Sequence, residues 1–253
     1  MKITCLKIGF IAMAIMLVSA CKDDDKPAAK QADLNEQAAT QNVHSTISMA
    51  SALMSQNDGQ AAAQSMMSLG LQSESLLIVD PGGAGEGDYI APNMVVVRQA
   101  MTEPGIGALT GTCECDEAAM SCSFRDCGDA EGTITINGSL SWGNGKLACD
   151  LRMAGAMDDF GGATTYDITM KMDLTVTETS LDGSIDTTMS SDMDMDGTKI
   201  SLDMESNITF NAITWDETTL ALTGGSLDVS ADMSASGGGE SARYAGSGTV
   251  SFP

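Results

Sequence analysis

Tyr166-Asp-Ile168-Thr-Met170-Lys-Met172-Asp-Leu174-Thr-Val176 decides the fold, because every even position is apolar and every odd one carries a hydroxyl or a charge. Side chains alternate between the two faces of a strand, so this segment is a β-strand with one dry and one wet face. The same alternation extends outward in both directions. Before it stand Ile134, Ile136, Gly138, Leu140 and Trp142, then Leu147, Cys149, Leu151 and Met153, with Asn144-Gly145 between the two runs as a tight hairpin turn. After it come Leu181, Ile185, Met189, Met193 and Met195, then Ile200, Leu202, Met204, Ile208 and Phe210, then Leu227, Val229, Ala231 and Met233, and finally Tyr244, Val250 and Phe252. Gly224-Gly225 shifts the register between Leu222 and Leu227, as a bulge or bend does.

A run of about fifteen alternating residues rises roughly 50 Å at ~3.3 Å per residue, well beyond an ordinary strand. Strands of that length twist and curl, and the apolar concave face requires a cover. Residues 31–76 supply one in a helical period: Ala39, Val43, Ile47, Ala50 and Met54 share one face, and Ala62, Met66 and Leu69 another, with Asn57-Asp58-Gly59 between them. The expected fold is α+β: an N-terminal helical hairpin packed on a long-stranded, curved antiparallel sheet, half-barrel or barrel-like. Residues 77–110 form a Gly/Pro linker with a short strand, and residues 111–253 the β domain with a disulfide-rich start. The glycines of Asp80 to Asp88 lack the Gly-Lys-Ser/Thr of a phosphate loop and the spacing of a dinucleotide loop.

The first twenty residues carry Lys2 and Lys7, then the apolar stretch Ile8 to Ala20, too short to span a bilayer and the length of a signal-peptide core. The stretch ends Leu17-Val18-Ser19-Ala20-Cys21, which resembles the lipobox of bacterial lipoproteins. That resemblance implies a signal peptide over 1–20, diacylglyceryl transfer to the Cys21 thiol, cleavage before it by the lipoprotein signal peptidase, and fatty acylation, palmitate included, of the new amino group. It also implies a membrane-anchored protein of the bacterial envelope. Lys22, where aspartate would signal inner-membrane retention, favours the outer membrane. Residues 21–30, with Asp23-Asp24-Asp25 and Pro27, read as an acidic tether.

The chain has 35 acidic and 12 basic residues, a net charge of −23. Loss of residues 1–20 removes Lys2 and Lys7 and no acid, leaving 10 basic against 35 acidic residues, or −25. Such a charge argues against nucleic acid and against charge-driven binding to anionic lipid. Much of the acid falls on the wet parity, as Asp167, Asp173, Asp182, Asp186, Asp203, Asp228 and Asp232, where it keeps that face solvated and blocks sheet aggregation.

With Cys5 removed and Cys21 lipidated, Cys113, Cys115, Cys122, Cys127 and Cys149 remain. An oxidising envelope compartment favours disulfides among them over a zinc or iron–sulfur site. Cys113 and Cys115 share a strand face ~6.6 Å apart and cannot easily join. At least one should bridge to Cys122 or Cys127 on the return strand, leaving Cys149 as the odd thiol.

Asp192-Met-Asp194-Met-Asp196-Gly197-x5-Asp203 matches the spacing of a calcium loop, but it ends in aspartate where glutamate is usual and lacks flanking helices. The alternative is a hairpin turn at Asp196-Gly197. Methionine is abundant, 19 residues against 5 phenylalanines, and Met153, Met170, Met172, Met189, Met193, Met195, Met204 and Met233 all have the dry parity. Three uses are open to them: core filling, an adaptable trough for a hydrophobic lipid or acyl ligand, and copper(I) held by the Met170/Met172 and Met193/Met195 pairs. His44, the sole histidine, lies in a helical stretch, and no nucleophile, base and orienting acid assemble from spacing. These features describe a non-enzyme.

Long curled strands under helices are similar, in architecture alone, to the half-barrels of periplasmic lipoprotein carriers, which implies a carrier or binder of lipid as the alternative to a structural or binding lipoprotein. Tyr244-x-Gly246-x-Gly248-x-Val250-x-Phe252 also looks like the closing strand of an outer-membrane barrel. The trailing Pro253, the few aromatics and the helical N-terminal third oppose that reading.

Overall fold

A computed structural model describes residues 30–31, 33–34, 36–54, 77–78, 110–128, 133–159, 162–195 and 198–253. Nine antiparallel strands form one open meander: β4 (Thr110–Asp116), β5 (Ser121–Gly128), β6 (Ile134–Gly143), β7 (Lys146–Asp159), β8 (Gly162–Val176), β9 (Ser180–Met195), β10 (Thr198–Trp215), β11 (Leu222–Gly237) and β12 (Glu240–Ser251). Each pairs with its sequence neighbour, so β4 lies at one edge. At the other edge β12 is joined in parallel by β1 (Lys30–Gln31), with Lys30 beside Tyr244. A separate two-stranded ribbon pairs β2 (Asp33–Leu34) with β3 (Leu77–Ile78).

The alternation holds on the long strands. Tyr166, Ile168, Met170, Met172, Leu174 and Val176 are all buried, as are Leu147, Cys149, Leu151 and Met153 beside them. The seven wet-face aspartates all lie outside the buried core, half-buried or exposed.

One helix, α1 (Glu36–Met54), covers part of the apolar face by packing against β6 and β8. Ala39, Val43, Ile47, Ala50 and Leu53 recur every three or four residues and are buried together, which is why this segment is helical: its one apolar stripe is satisfied only against another apolar surface. The expected helical hairpin is not what the described residues show. Gln31, Asp33 and Leu34 are extended, α1 is a single helix, and the second helical segment, with Ala62, Met66 and Leu69, lies outside the described residues. Leu77 and Ile78 supply the short strand of the linker; the linker's glycine-rich part lies outside them too.

Strands this long bend at two matching places. On β5 the register shifts between Phe124 and Cys127, with Asp126 at φ +49°; on β10 it shifts between Phe210 and Ile213, with Ala212 at φ +47°. Each bulge leaves one backbone N–H outside the ladder, and a wet-face side chain on the adjoining strand takes it. Asn137 Oδ1 accepts from Asp126 N at 2.8 Å, and Asp182 Oδ2 from Ala212 N at 2.8 Å. The residue after each acceptor is a glycine opposite the phenylalanine: Gly138 across from Phe124, Gly183 across from Phe210. Both glycines have positive φ, +122° and +128° respectively. A Cβ on either would sit 2.0 Å from a carbonyl oxygen of the following or preceding strand, that of Asp150 or Asp173. The two corners are therefore one device used twice, in mirrored strand order about the β7–β8 pair, and bulges of this kind bend strands and raise local twist.

Candidate functional site

Three surfaces carry chemistry. The first is the disulfide-stapled edge. Cys115 and Cys122 are direct partners in the β4–β5 register, bonded with Cα atoms 4.0 Å apart, and Cys113 bonds Cys127 at 5.3 Å. Phe124 stands directly opposite Cys113, and the bulge on β5, which shifts the β4–β5 register between Thr110 and Thr112 and the β5–β6 register between Phe124 and Cys127, returns Cys127 to the face of Cys113 and within its reach. Both bridges run between β4 and its return strand, and Cys149 is left as a thiol. Burial pushes that thiol up to about 12, with the neighbouring Asp150 carboxylate adding to the effect. Cys149 lies across from Met172 on the dry face, buried away from solvent.

The second surface is the dry face. Met153, Met189, Met204 and Met233 fall in one register line across β7, β9, β10 and β11, with Ile168 between the first two and Tyr244 beyond the last. Met153, Met170, Met172, Met189 and Met204 are buried, Met193 and Met233 half-buried, and the side chain of Met195 lies outside the described set. Met193 pairs with Thr164, six residues along β8 from Met170, or ~20 Å at the strand rise, so the two methionine pairs cannot serve one copper ion. Polar residues missed in the sequence share this face. Thr187 and Ser206 are buried partners in register, and Ser191 Oγ is buried with no hydrogen-bond partner among the described residues. On α1 the Thr46 hydroxyl, also buried, donates to Asn42 Oδ1 at 3.4 Å. The signal was present: β9 reads Leu181, Gly183, Ile185, Thr187, Met189, Ser191 on its dry parity, so every second inward residue is small or hydroxylic.

The third is the wet face. Arg152 makes a two-pronged ion pair with Asp167, and Arg243 with Asp232, holding the Asp232 carboxyl below its ordinary range through the hydrogen bond from Arg243. Between the pairs runs a polar groove of about 890 Å³ that includes Thr188, Ser201, Asp203 and Glu205. A second groove, of about 700 Å³, lies beside β4 and includes Glu114, Asp116, Asp150 and Asp173.

The calcium-loop spacing folds otherwise. The ladder continues without a break from Thr198 opposite Met195 to Asp203 opposite Ser190, which lays Asp192, Asp194 and Asp203 out along two extended strands. Asp192 accepts from the Ser201 hydroxyl, and Asp194 stands opposite Lys199. Asp192 and Asp194 are ~6.6 Å apart by the strand rise rather than wrapped around a point. Asp196 lies outside the described residues, and among the described residues no three His, Cys, Asp or Glu side chains gather as a metal would need.

At the β10–β11 turn, Asp216 accepts from the backbone N–H and hydroxyl of Thr219 and from Thr218 N, which lowers its carboxyl from the ordinary value. That turn presents Leu220, the one large apolar side chain strongly exposed among the described residues. His44 is exposed on α1. Cys21 lies outside the described residues.

No family model, curated protein or solved structure matches this chain. Function therefore rests on the residues themselves.

Proposed function

We propose that the protein is a bacterial envelope lipoprotein, anchored in the membrane by acyl chains on Cys21, most simply in the outer membrane, with a folded body that serves a structural or binding role rather than catalysis. The observation that carries this is Leu17-Val18-Ser19-Ala20-Cys21 at the end of a short apolar core. Two disulfides in the folded body support export to an oxidising compartment. The tether has a bounded reach: nine peptide steps separate Cys21 from Lys30, at most about 30 Å of extended chain. Because β1 runs parallel to β12 from Lys30, the anchor would hold the β12 edge close to the bilayer. Two or three acyl chains make such an anchor stable where one does not.

Metabolic labelling with palmitate tests the anchor. Label should enter the wild-type chain and be lost in Cys21→Ser, and inhibition of the lipoprotein signal peptidase should leave the precursor uncut. An unlabelled chain, or a mature N-terminus other than Cys21, overturns the proposal.

A carrier of lipid or acyl groups is the second reading, favoured by one observation. The buried Ser191 hydroxyl, without a hydrogen-bond partner among the described residues, lies opposite half-buried Leu202 and two residues from half-buried Met193 on the dry face, where an apolar ligand with one polar group would be satisfied. Native mass spectrometry after mild extraction separates the two, since a carrier retains a lipid mass and a filled core does not. Membrane-barrel character draws less support: the sheet is open, and its apolar parity faces α1, whereas a lipid-facing barrel turns that parity outward.

A further inference from the structure

We propose that the β4 edge is a docking site for an extended, cationic strand of another protein, which adds to the sheet beside Cys113 and Cys115. This goes beyond the anchoring proposal and does not depend on it. The short Cα separation of Cys115 and Cys122, 4.0 Å, marks them as a non-hydrogen-bonded antiparallel pair. In such a pair the backbone groups turn away from the partner strand, so the N–H and C=O of Cys115 point to the open side of β4. Cys113, two residues back and in the same register phase, does likewise, while Glu114 spends its own on Ser123. Among the described residues no strand lies on that side. Sheet edges of this kind accept an added strand through main-chain hydrogen bonds.

Two features suit the edge to receive rather than merely end the sheet. Both edge cysteines are covalently tied to β5, so β4 is ordered before a partner arrives and binding carries little ordering cost. The wet-face side chains of the edge, Glu114 and Asp116, are exposed, and Asp150 and Asp173 lie behind them in the same groove. Of the nearby cations, Arg125 is opposite Thr112, toward the other end of β4, and Lys171, on β8, stands opposite Asp150 further into the sheet, so the edge carboxylates Glu114 and Asp116 set the sign a docked strand meets. A strand docked on β4 would set alternate side chains against Glu114 and Asp116, where lysine or arginine is favoured and acid disfavoured. A second copy of this acidic chain brings Glu114 and Asp116 of its own to the edge, so the carboxylates that bar self-pairing select a partner of opposite sign.

The test is fluorescence anisotropy with the full chain in mild detergent and a labelled peptide of alternating lysine and valine, about eight residues long to match an ordinary strand. Its comparison is the same peptide N-methylated at alternate residues, which keeps the charge and removes the edge hydrogen bonds. The unmodified peptide should bind at least about tenfold tighter, and the Glu114→Lys/Asp116→Lys chain should lose about tenfold while Asp186→Lys/Asp203→Lys, elsewhere on the wet face, loses much less. Equal binding of the two peptides reduces the effect to general attraction by an acidic body and overturns the proposal, as does equal loss in the two double variants. Dimerisation of the chain in place of peptide binding also overturns it. The peptide comparison uses the unaltered chain, so it stands even if the charge-reversed chain folds poorly.

Discussion

Replacing Gly183 with alanine should destabilise the protein by about 3–5 kcal/mol, and Gly138→Ala should cost the same. The magnitude comes from two sources at each corner. A backbone φ of +128° at Gly183, or +122° at Gly138, is a region that side-chain-bearing residues enter only at a cost of about 1–3 kcal/mol. The added Cβ would also lie 2.0 Å from the Asp173 or Asp150 carbonyl oxygen, a backbone atom that moves only if the strands part. Parting them sacrifices the ladder bonds on either side, about 1 kcal/mol each. Gly238→Ala is the control: its φ is +60°, nothing lies within 4 Å of the place its new Cβ would take, and it should lose only the roughly 1–2 kcal/mol of a left-handed residue. Urea unfolding of the three variants, compared at unchanged m, supplies the numbers. If Gly183→Ala and Gly138→Ala fall no further than Gly238→Ala, the carbonyl contact is not a constraint and the two-corner account of the sheet is wrong. If only one falls, the corners are not equivalent.

Other consequences follow from single groups. With its thiol near 12 against an ordinary 9.0, Cys149 carries about a thousandfold less thiolate at pH 8, so iodoacetamide should label it only on unfolding, as mass spectrometry of native and denatured samples will show. Removing the Cys113–Cys127 bridge by paired alanine substitution opens a link of sequence separation 14 and should cost about 3 kcal/mol, read as a lower urea midpoint. Asp216 titrates below an ordinary carboxylate, so its contribution to stability is whole above the unfolded value and disappears as pH falls through the lower folded value. Thr219→Val removes one donor, should raise the Asp216 midpoint in a carboxyl NMR titration, and should flatten the loss of stability in acid. Asn137→Ala and Asp182→Ala each strand a bulge N–H and should cost about 1 kcal/mol in the same urea assay.

What the sequence revealed and what it hid differ in physical kind. Parity is a local property of each strand, so Tyr166 to Val176 declared its buried face unaided, as did the three- and four-residue spacing of Ala39, Val43, Ile47 and Ala50 in α1. The cysteines were nearly as legible, because Cys113 and Cys115 share a face and must look across to the return strand. Their final pairing was not, since it depends on a bulge between Phe124 and Cys127 that returns Cys127 to the face of Cys113. That bulge left a trace. Phe124 and Cys127 are three apart, as are Phe210 and Ile213, and in a two-residue rhythm a spacing of three between inward residues can only be an inserted residue. Asn137-Gly138 and Asp182-Gly183 mark the same corners on the adjoining strands, yet aspartate on a wet parity looks like any other solvated acid until its neighbour's unpaired N–H is known. The calcium spacing left two readings open for the converse reason: alternate aspartates suit a loop that wraps an ion and a strand that keeps one face wet equally well, and it is the partner strand, with Ser201 and Lys199 opposite Asp192 and Asp194, that lays those two along a strand. Residues whose role is set across strands, the buried Ser191 among them, are therefore where a chain of this kind conceals its chemistry.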